Sequence, residues 1–305
     1  DPPARPCLAG RRRILAYQAT TRLAGSGTRY RTRVRILTYC GTFCACGITG
    51  MAAKKVSVAV AISIAPFSEI GAKMKSVALM SPATCATIRA VGFDIDDTLT
   101  TDGRLTADAF SALWKLYDSG LITVAVTGRP AGWCDMIARN WPVAAVIGEN
   151  GALAYIREGD NVRRRDFGTP PDPGQRESLA TALLEEFPQF AIASDQFTRR
   201  FDLAIDFAEE VGPFPIAQAE ALAEACRRAG ATAKVSSIHV NTWFGDWDKA
   251  SALRRLLDES YALDLSRVAY VGDSPNDAPL FAVAGTSVGV ANLADFPPLD
   301  TPPAY

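Results

Sequence analysis

Asp94, Asp96 and Asp97 stand within four residues at the end of an apolar run, Ile88 to Phe93, and Thr98-Leu99-Thr100 follows at once. Three carboxylates this close repel one another unless a cation or a proton intervenes, so the spacing points to a divalent metal. The competing reading is a solvated acidic turn. Further along lie Thr127-Gly128-Arg129, then Asp248-Lys249, then Gly272-Asp273-Ser274-Pro275-Asn276-Asp277. Carboxylates, a Thr-Gly step and a lysine gathered at one point would make a site for a metal and a phosphate.

The elements around these residues could gather them. Ile88 to Phe93, Leu121 to Val126, Val143 to Ile147, Val268 to Val271 and Thr286 to Val290 read as buried strands. Helices are expected from Thr106 to about Asp118, from Pro130 to about Trp141, from Asp248 onward, and from Asn276 to Val283, with Thr106 and Asp248 as caps. Strands alternating with helices imply a parallel sheet with right-handed crossovers. Asp94, Thr127 and Asp273 would then end three strands along one edge, where open α/β sheets bind ligands. Lys249 would join them from a helix start whose free N–H groups favour anions.

A different rhythm interrupts this one. Ala152 to Ile156 and Val162 to Phe167 read as a hairpin about Gly159-Asp160, and Thr169 to Gly174 reads as a linker. Beyond it the expected order is helix, strand, strand, helix, strand, strand, an α+β module with one antiparallel sheet. The expected division is therefore a basic segment 1–80 outside the fold, a core of 81–169 and 244–305, and a cap of 170–243. The fold class is α/β, a Rossmann-like parallel-sheet core with an inserted αββαββ cap.

Asp94-Ile95-Asp96-Asp97-Thr98, Val126-Thr127-Gly128-Arg129, Asp248-Lys249 and Gly272 to Asp277 resemble, in order, the four motifs of the haloacid dehalogenase-like superfamily. The resemblance covers about residues 88–295. A cap with αββαββ order between the second and third motifs is similar to subfamily IIB, which includes sucrose-phosphate and mannosyl-phosphoglycerate phosphatases. The resemblance implies a Mg²⁺-dependent phosphatase acting on a small phosphorylated metabolite, a sugar phosphate or sugar-acid phosphate. It implies Asp94 as the nucleophile that becomes an aspartyl-phosphate and Asp96 as the acid and base. Mg²⁺ would be held by Asp94, the carbonyl of Asp96 and Asp273, with Asn276 and Asp277 completing or orienting the shell. Thr127 and Gly128 would hold phosphate oxygens beside Arg129, and Lys249 would neutralise developing charge. A sugar phosphomutase on the same core is the enzymatic alternative.

Composition sets outer bounds. The chain has 305 residues, 48% hydrophobic and 21% charged, ordinary for a globular protein. Its near-zero net charge hides a split: residues 1–89 carry 14 basic against 2 acidic side chains, and residues 90–305 carry 18 against 31. An acidic domain of that kind is a poor nucleic-acid binder and a good host for a hard cation. The competitor from another class is a binding protein using the Arg-rich residues 1–50, which lack the aromatic interleaving of nucleic-acid surfaces. The apolar run Val56 to Phe67 is too short to span a bilayer. Seven cysteines contain no Cys-x-x-Cys pair, which speaks against zinc, and a reducing, cytoplasmic setting fits. No membrane partner and no nucleic acid are expected.

Two further expectations concern the periphery. Arg199 and Arg200 fall in a turn between cap strands, where they would stay solvated or bind a second anionic group of the substrate. His239, within a cap strand, reads as structural. The Pro-rich stretch Phe296 to Tyr305 supplies no further helix, which leaves the last strand's edge uncovered.

Overall fold

The computed structural model describes residues 74–305. The Arg-rich stretch 1–50, the run Val56 to Phe67 and the early cysteines Cys7, Cys40, Cys44 and Cys46 lie outside the described residues. The chain order is α1 (Pro82–Thr87), β1 (Ala90–Phe93), β2 (Thr100–Thr101), β3 (Arg104–Leu105), α2 (Ala107–Asp118), β4 (Ile122–Val126), α3 (Ala131–Asn140) and β5 (Ala145–Gly148). Then come β6 (Leu153–Glu158), β7 (Asn161–Asp166), α4 (Pro173–Glu186), β8 (Ala191–Ile192), β9 (Leu203–Asp206), α5 (Ile216–Arg228), β10 (Thr232–Val235) and β11 (His239–Trp243). Last are α6 (Lys249–Tyr261), β12 (Val268–Gly272), α7 (Ala278–Val283) and β13 (Thr286–Gly289).

Seven strands form the main sheet in the order β13-β12-β1-β4-β5-β6-β7. The first five are parallel, while β6 and β7 join antiparallel as the expected hairpin. The chain moves outward from β1 to β4 and β5, then returns to β12 on the other side of β1, which creates a crevice at the carboxyl ends beside β1. Unbroken apolar strands such as Val124-Ala125-Val126 suit a sheet covered on both faces. Leu253, Leu256, Leu257, Leu280 and Phe281 of α6 and α7 pack on one face. Leu113, Cys134, Ile137 and Ala138 of α2 and α3 pack on the other.

The inserted stretch has the αββαββ order, and its four strands pair antiparallel as β10-β11-β9-β8. One face of that sheet buries a separate apolar cluster with α4 and α5, which includes Leu183, Ile205, Leu222 and Val240. Phe201, Trp243 and Trp247 pack with Ala131 and Leu153 to join this module to the main sheet.

Two expectations at the margins need correction. The edge of β13 is covered without a helix, because the tail itself pairs with it: Tyr305 donates to the Ser287 carbonyl at 3.0 Å and Gly289 donates to that of Tyr305 at 2.8 Å. The boundary at residue 80 falls a few residues late, since Val77 is buried and the Lys75 N–H donates to the Ala304 carbonyl.

Candidate active site

Three strand ends and one helix start build the site. Asp94 follows β1, its N–H donating to the Val271 carbonyl of β12 at 3.0 Å. Asp273 follows β12, and its N–H donates to Asp277 Oδ2 at 3.2 Å. Gly272 permits this turn, because a Cβ there would stand 2.5 Å from the Asp277 carboxylate. Asp248 and Ser251 form a reciprocal capping box that starts α6 at Lys249. Gly151, at φ +110°, lets the chain after β5 pass against the Asp248 carbonyl where a side chain would collide.

Lys249 is buried and its Nζ reaches Asp94 Oδ1 at 3.0 Å, Asp277 Oδ1 at 2.8 Å and Asn276 Oδ1 at 3.4 Å. Tyr270 donates its hydroxyl to the same Asp277 oxygen at 2.7 Å. Asp277 is thus occupied on both oxygens, an orienting position. Asp273 differs: Oδ1 accepts from the Thr98 hydroxyl at 3.1 Å, but its buried Oδ2 has no hydrogen-bond partner. Ligand oxygens of Asp94, Asp273 and Asp277 lie within 4.8 Å of one another. A buried carboxylate oxygen without a donor, in a cluster of hard oxygens, fits a divalent cation.

The charges report the same crowding. Burial raises the Asp94 carboxyl to about 7 against the pull of Lys249, with Asp277 and Asp96 adding to the rise. Asp273 is pushed well above the usual carboxylate range, first by burial and then by Asp94 and Asp277. Lys249 rises despite burial, held charged by Asp277 and Asp94. Each shift is relieved by added positive charge.

Thr127 and Gly128 lie at the end of β4, beside β1. Thr127 is fully buried, and its hydroxyl accepts from the Arg129 N–H at 3.0 Å. Arg129 is no solvated charge. It grips both Asp96 oxygens at 2.9 Å, donates to Glu209 at 2.7 Å and stacks on Trp133 with its guanidinium carbon 4.3 Å from the ring centre. Asp94, Asp96, Gly128, Arg129 and Asn276 share one cleft with Ser236 to His239, the β10–β11 turn.

Arg199 and Arg200 stand elsewhere, and the expectation of a substrate-facing pair is corrected. Arg199 is buried, with its guanidinium held by Asp195, Asp202 and the Gly128 carbonyl. It has been committed to joining the inserted module to the main sheet. Arg200 is exposed, and its N–H donates to Glu149. Glu149 went unnoticed in the sequence: fully buried, it accepts from the N–H groups of Ala131, Arg200, Phe201 and Asp202. Glu209 and the β10–β11 turn were likewise missed. An acidic pair after a strand has no signature that separates it from a solvated turn.

The model of the haloacid dehalogenase-like hydrolase family matches residues 91–170 and 217–295. A phosphoglycolate phosphatase of Methanobrevibacter smithii is 26% identical over 219 residues, 68% of this chain and 88% of that protein. One of Methanothermobacter thermautotrophicus is 28% identical over 209 residues, 67% and 86% of the two chains. Among solved structures, a Thermoplasma acidophilum protein superposes with a TM-score of 0.54 at 20% identity, covering 67% of this chain and 85% of that one. A haloacid dehalogenase-like hydrolase of B. subtilis gives a TM-score of 0.52 at 17% identity, covering 67% and 90%. At these identities the structural likeness speaks for the fold.

Proposed function

The chain belongs to the haloacid dehalogenase-like hydrolase family, and from that premise we propose that it is a Mg²⁺-dependent phosphomonoesterase acting through an aspartyl-phosphate on Asp94. The observation that carries this reading is the meeting of Asp94, Lys249 and Asp273 at the edge of the main sheet, with Asp273 Oδ2 left without a donor. Relatives named phosphoglycolate phosphatase support a small phosphorylated substrate. The αββαββ cap supports subfamily IIB.

The residues divide the work. Asp94 attacks phosphorus in line, forming an Oδ–P bond as the ester P–O bond breaks. Asp96 gives a proton to the leaving oxygen and later takes one from the attacking water. Lys249 holds Asp94 in place and offsets charge on the equatorial oxygens, while Thr127 and the Gly128 amide orient them. Asp94, Asp273 and the Asp96 carbonyl would hold Mg²⁺, with Asn276 and Asp277 fixing the shell; the ion would screen the carboxylates from the phosphate's charge. Arg129 has both Asp96 oxygens in its grip, so that grip must loosen before Asp96 reaches a leaving group.

A screen of phosphorylated metabolites for phosphate release, with Mg²⁺ and with EDTA, tests this. Release that needs Mg²⁺ is expected for small phosphorylated acids or sugars. Folded protein that releases phosphate from none of them would overturn the reading.

A further inference from the structure

Two residues that line the cleft, Arg129 and His239, lie against a carboxylate of the protein itself. The Asp206 side chain, at the end of β9, accepts from the N–H groups of Ala208, Glu209, Glu210 and Val211 at 2.8–3.3 Å. That turn aims Glu209 at the main sheet. Its Oε1 lies 2.7 Å from Arg129 Nη2 and its Oε2 lies 2.9 Å from His239 Nε2. Arg129 and His239 have 5% and 3% of their side chains exposed, and His239 Nε2 makes no hydrogen bond despite this contact, whereas Glu209 is 29% exposed. Burial raises the Glu209 carboxyl, but the adjoining His239 and Arg129 win and bring it to about 2. The free volume left in this cleft is about 10 Å³, scarcely room for one water. A substrate therefore enters only if something moves aside.

Glu209 is the group best placed to move, being the most exposed of the three. Its departure alone would cost Arg129 a close anion. Turnover on the reading above also calls Asp96 away from Arg129, which would leave the buried guanidinium with Asp195 at 3.6 Å. An unpaired buried charge is strongly disfavoured. An anion arriving on the substrate removes that penalty, and the shape it must match is that of the carboxylate already there.

We propose that Arg129 and His239 form a carboxylate subsite, that Glu209 occupies it as an internal stand-in, and that the substrate is a small phosphorylated carboxylic acid whose carboxylate takes Glu209's place. This rests on the phosphomonoesterase reading for the phosphate end. It makes Glu209 and His239 determinants of specificity, and it ties the freeing of Asp96 to arrival of the correct substrate.

The test is calorimetric binding of 2-phosphoglycolate and of ethyl phosphate, which lacks the carboxylate, to the inert Asp94→Asn chain with Mg²⁺. The expected preference for 2-phosphoglycolate is about tenfold or more, the scale of one charged hydrogen-bonded contact. Adding His239→Gln should erase most of that preference. Adding Glu209→Gln should tighten 2-phosphoglycolate severalfold and leave ethyl phosphate within about twofold. Equal affinity for the two ligands, or variants that shift both alike, would overturn the subsite. Should His239→Gln fail to melt cooperatively, Glu209→Gln alone decides, since it is near-isosteric and partly exposed. A preference without turnover by the unsubstituted chain would sink the phosphomonoesterase and leave the subsite standing; turnover without preference would do the reverse.

Discussion

At the scale of single residues, the site holds carboxylates where water cannot stabilise them. Asp94 has its carboxyl raised to about 7 from an ordinary 3.8, chiefly by burial. Its folded form binds a proton more tightly than its unfolded form. Its contribution to stability is thus present below about pH 4 and is lost as pH rises through about 7. In EDTA, the melting temperature of the unsubstituted chain should fall relative to Asp94→Asn as pH goes from 4 to 8, and melts at four pH values across that range would read the slope. A constant difference between the two proteins would show that the Asp94 carboxyl is not strained by burial. Which residues could be read from sequence follows from what surrounds them. Asp94, Asp273 and Lys249 stand at strand and helix ends announced by apolar runs and caps. Glu149, Glu209 and His239 act through partners 18 to 80 residues distant, and neither spacing nor residue type reveals such a pairing.

At the scale of elements, local chemistry and long-range chemistry separate cleanly. The starts of α2 and α6 were legible because Thr106 and Asp248 are caps, and their side chains do accept from Ala109 and Ser251. The tail's pairing with β13 was hidden, since a Pro-rich stretch carries no strand signal and the bond is made to a distant edge. The β8–β9 connection misled most. Its adjacent arginines look alike in sequence, yet Arg199 is buried between Asp195 and Asp202 while Arg200 is exposed. Burial raises the Asp202 carboxyl to about 7 even with Arg199 pulling it down, so that element is held by a pair that is costly to break. Arg199→Met should therefore lower unfolding free energy by about 3–5 kcal/mol, leaving two buried carboxylates uncompensated. Arg200→Ala should change it by less than about 0.5 kcal/mol. Urea titrations of both variants would check this. Equal effects would mean that the buried pair contributes nothing beyond a surface charge.

At the scale of the whole molecule, the chain interrupts a parallel sheet after β7 and resumes it at α6, so each part buries an apolar cluster of its own. The interruption was legible as a change of rhythm. How the module closes was not, because closure depends on Arg129 reaching Glu209 and on Arg199 reaching the Gly128 carbonyl. We propose the division into a core of 75–169 and 244–305 and a cap of 170–243 as the functional one: the core handles the phosphoryl group and the cap admits or refuses what carries it. The proposed chemistry depends on Asp94 above any other residue. Phosphate release from the best substrate of the screen should be measured with Mg²⁺ for the unsubstituted chain and for Asp94→Asn, with circular dichroism melts confirming that both are folded. The expected result is loss of turnover by a factor of about 10³ or more in the variant, because an amide cannot form the acyl-phosphate. Turnover by folded Asp94→Asn within about tenfold of the unsubstituted chain would contradict nucleophilic attack by Asp94 and the mechanism built on it.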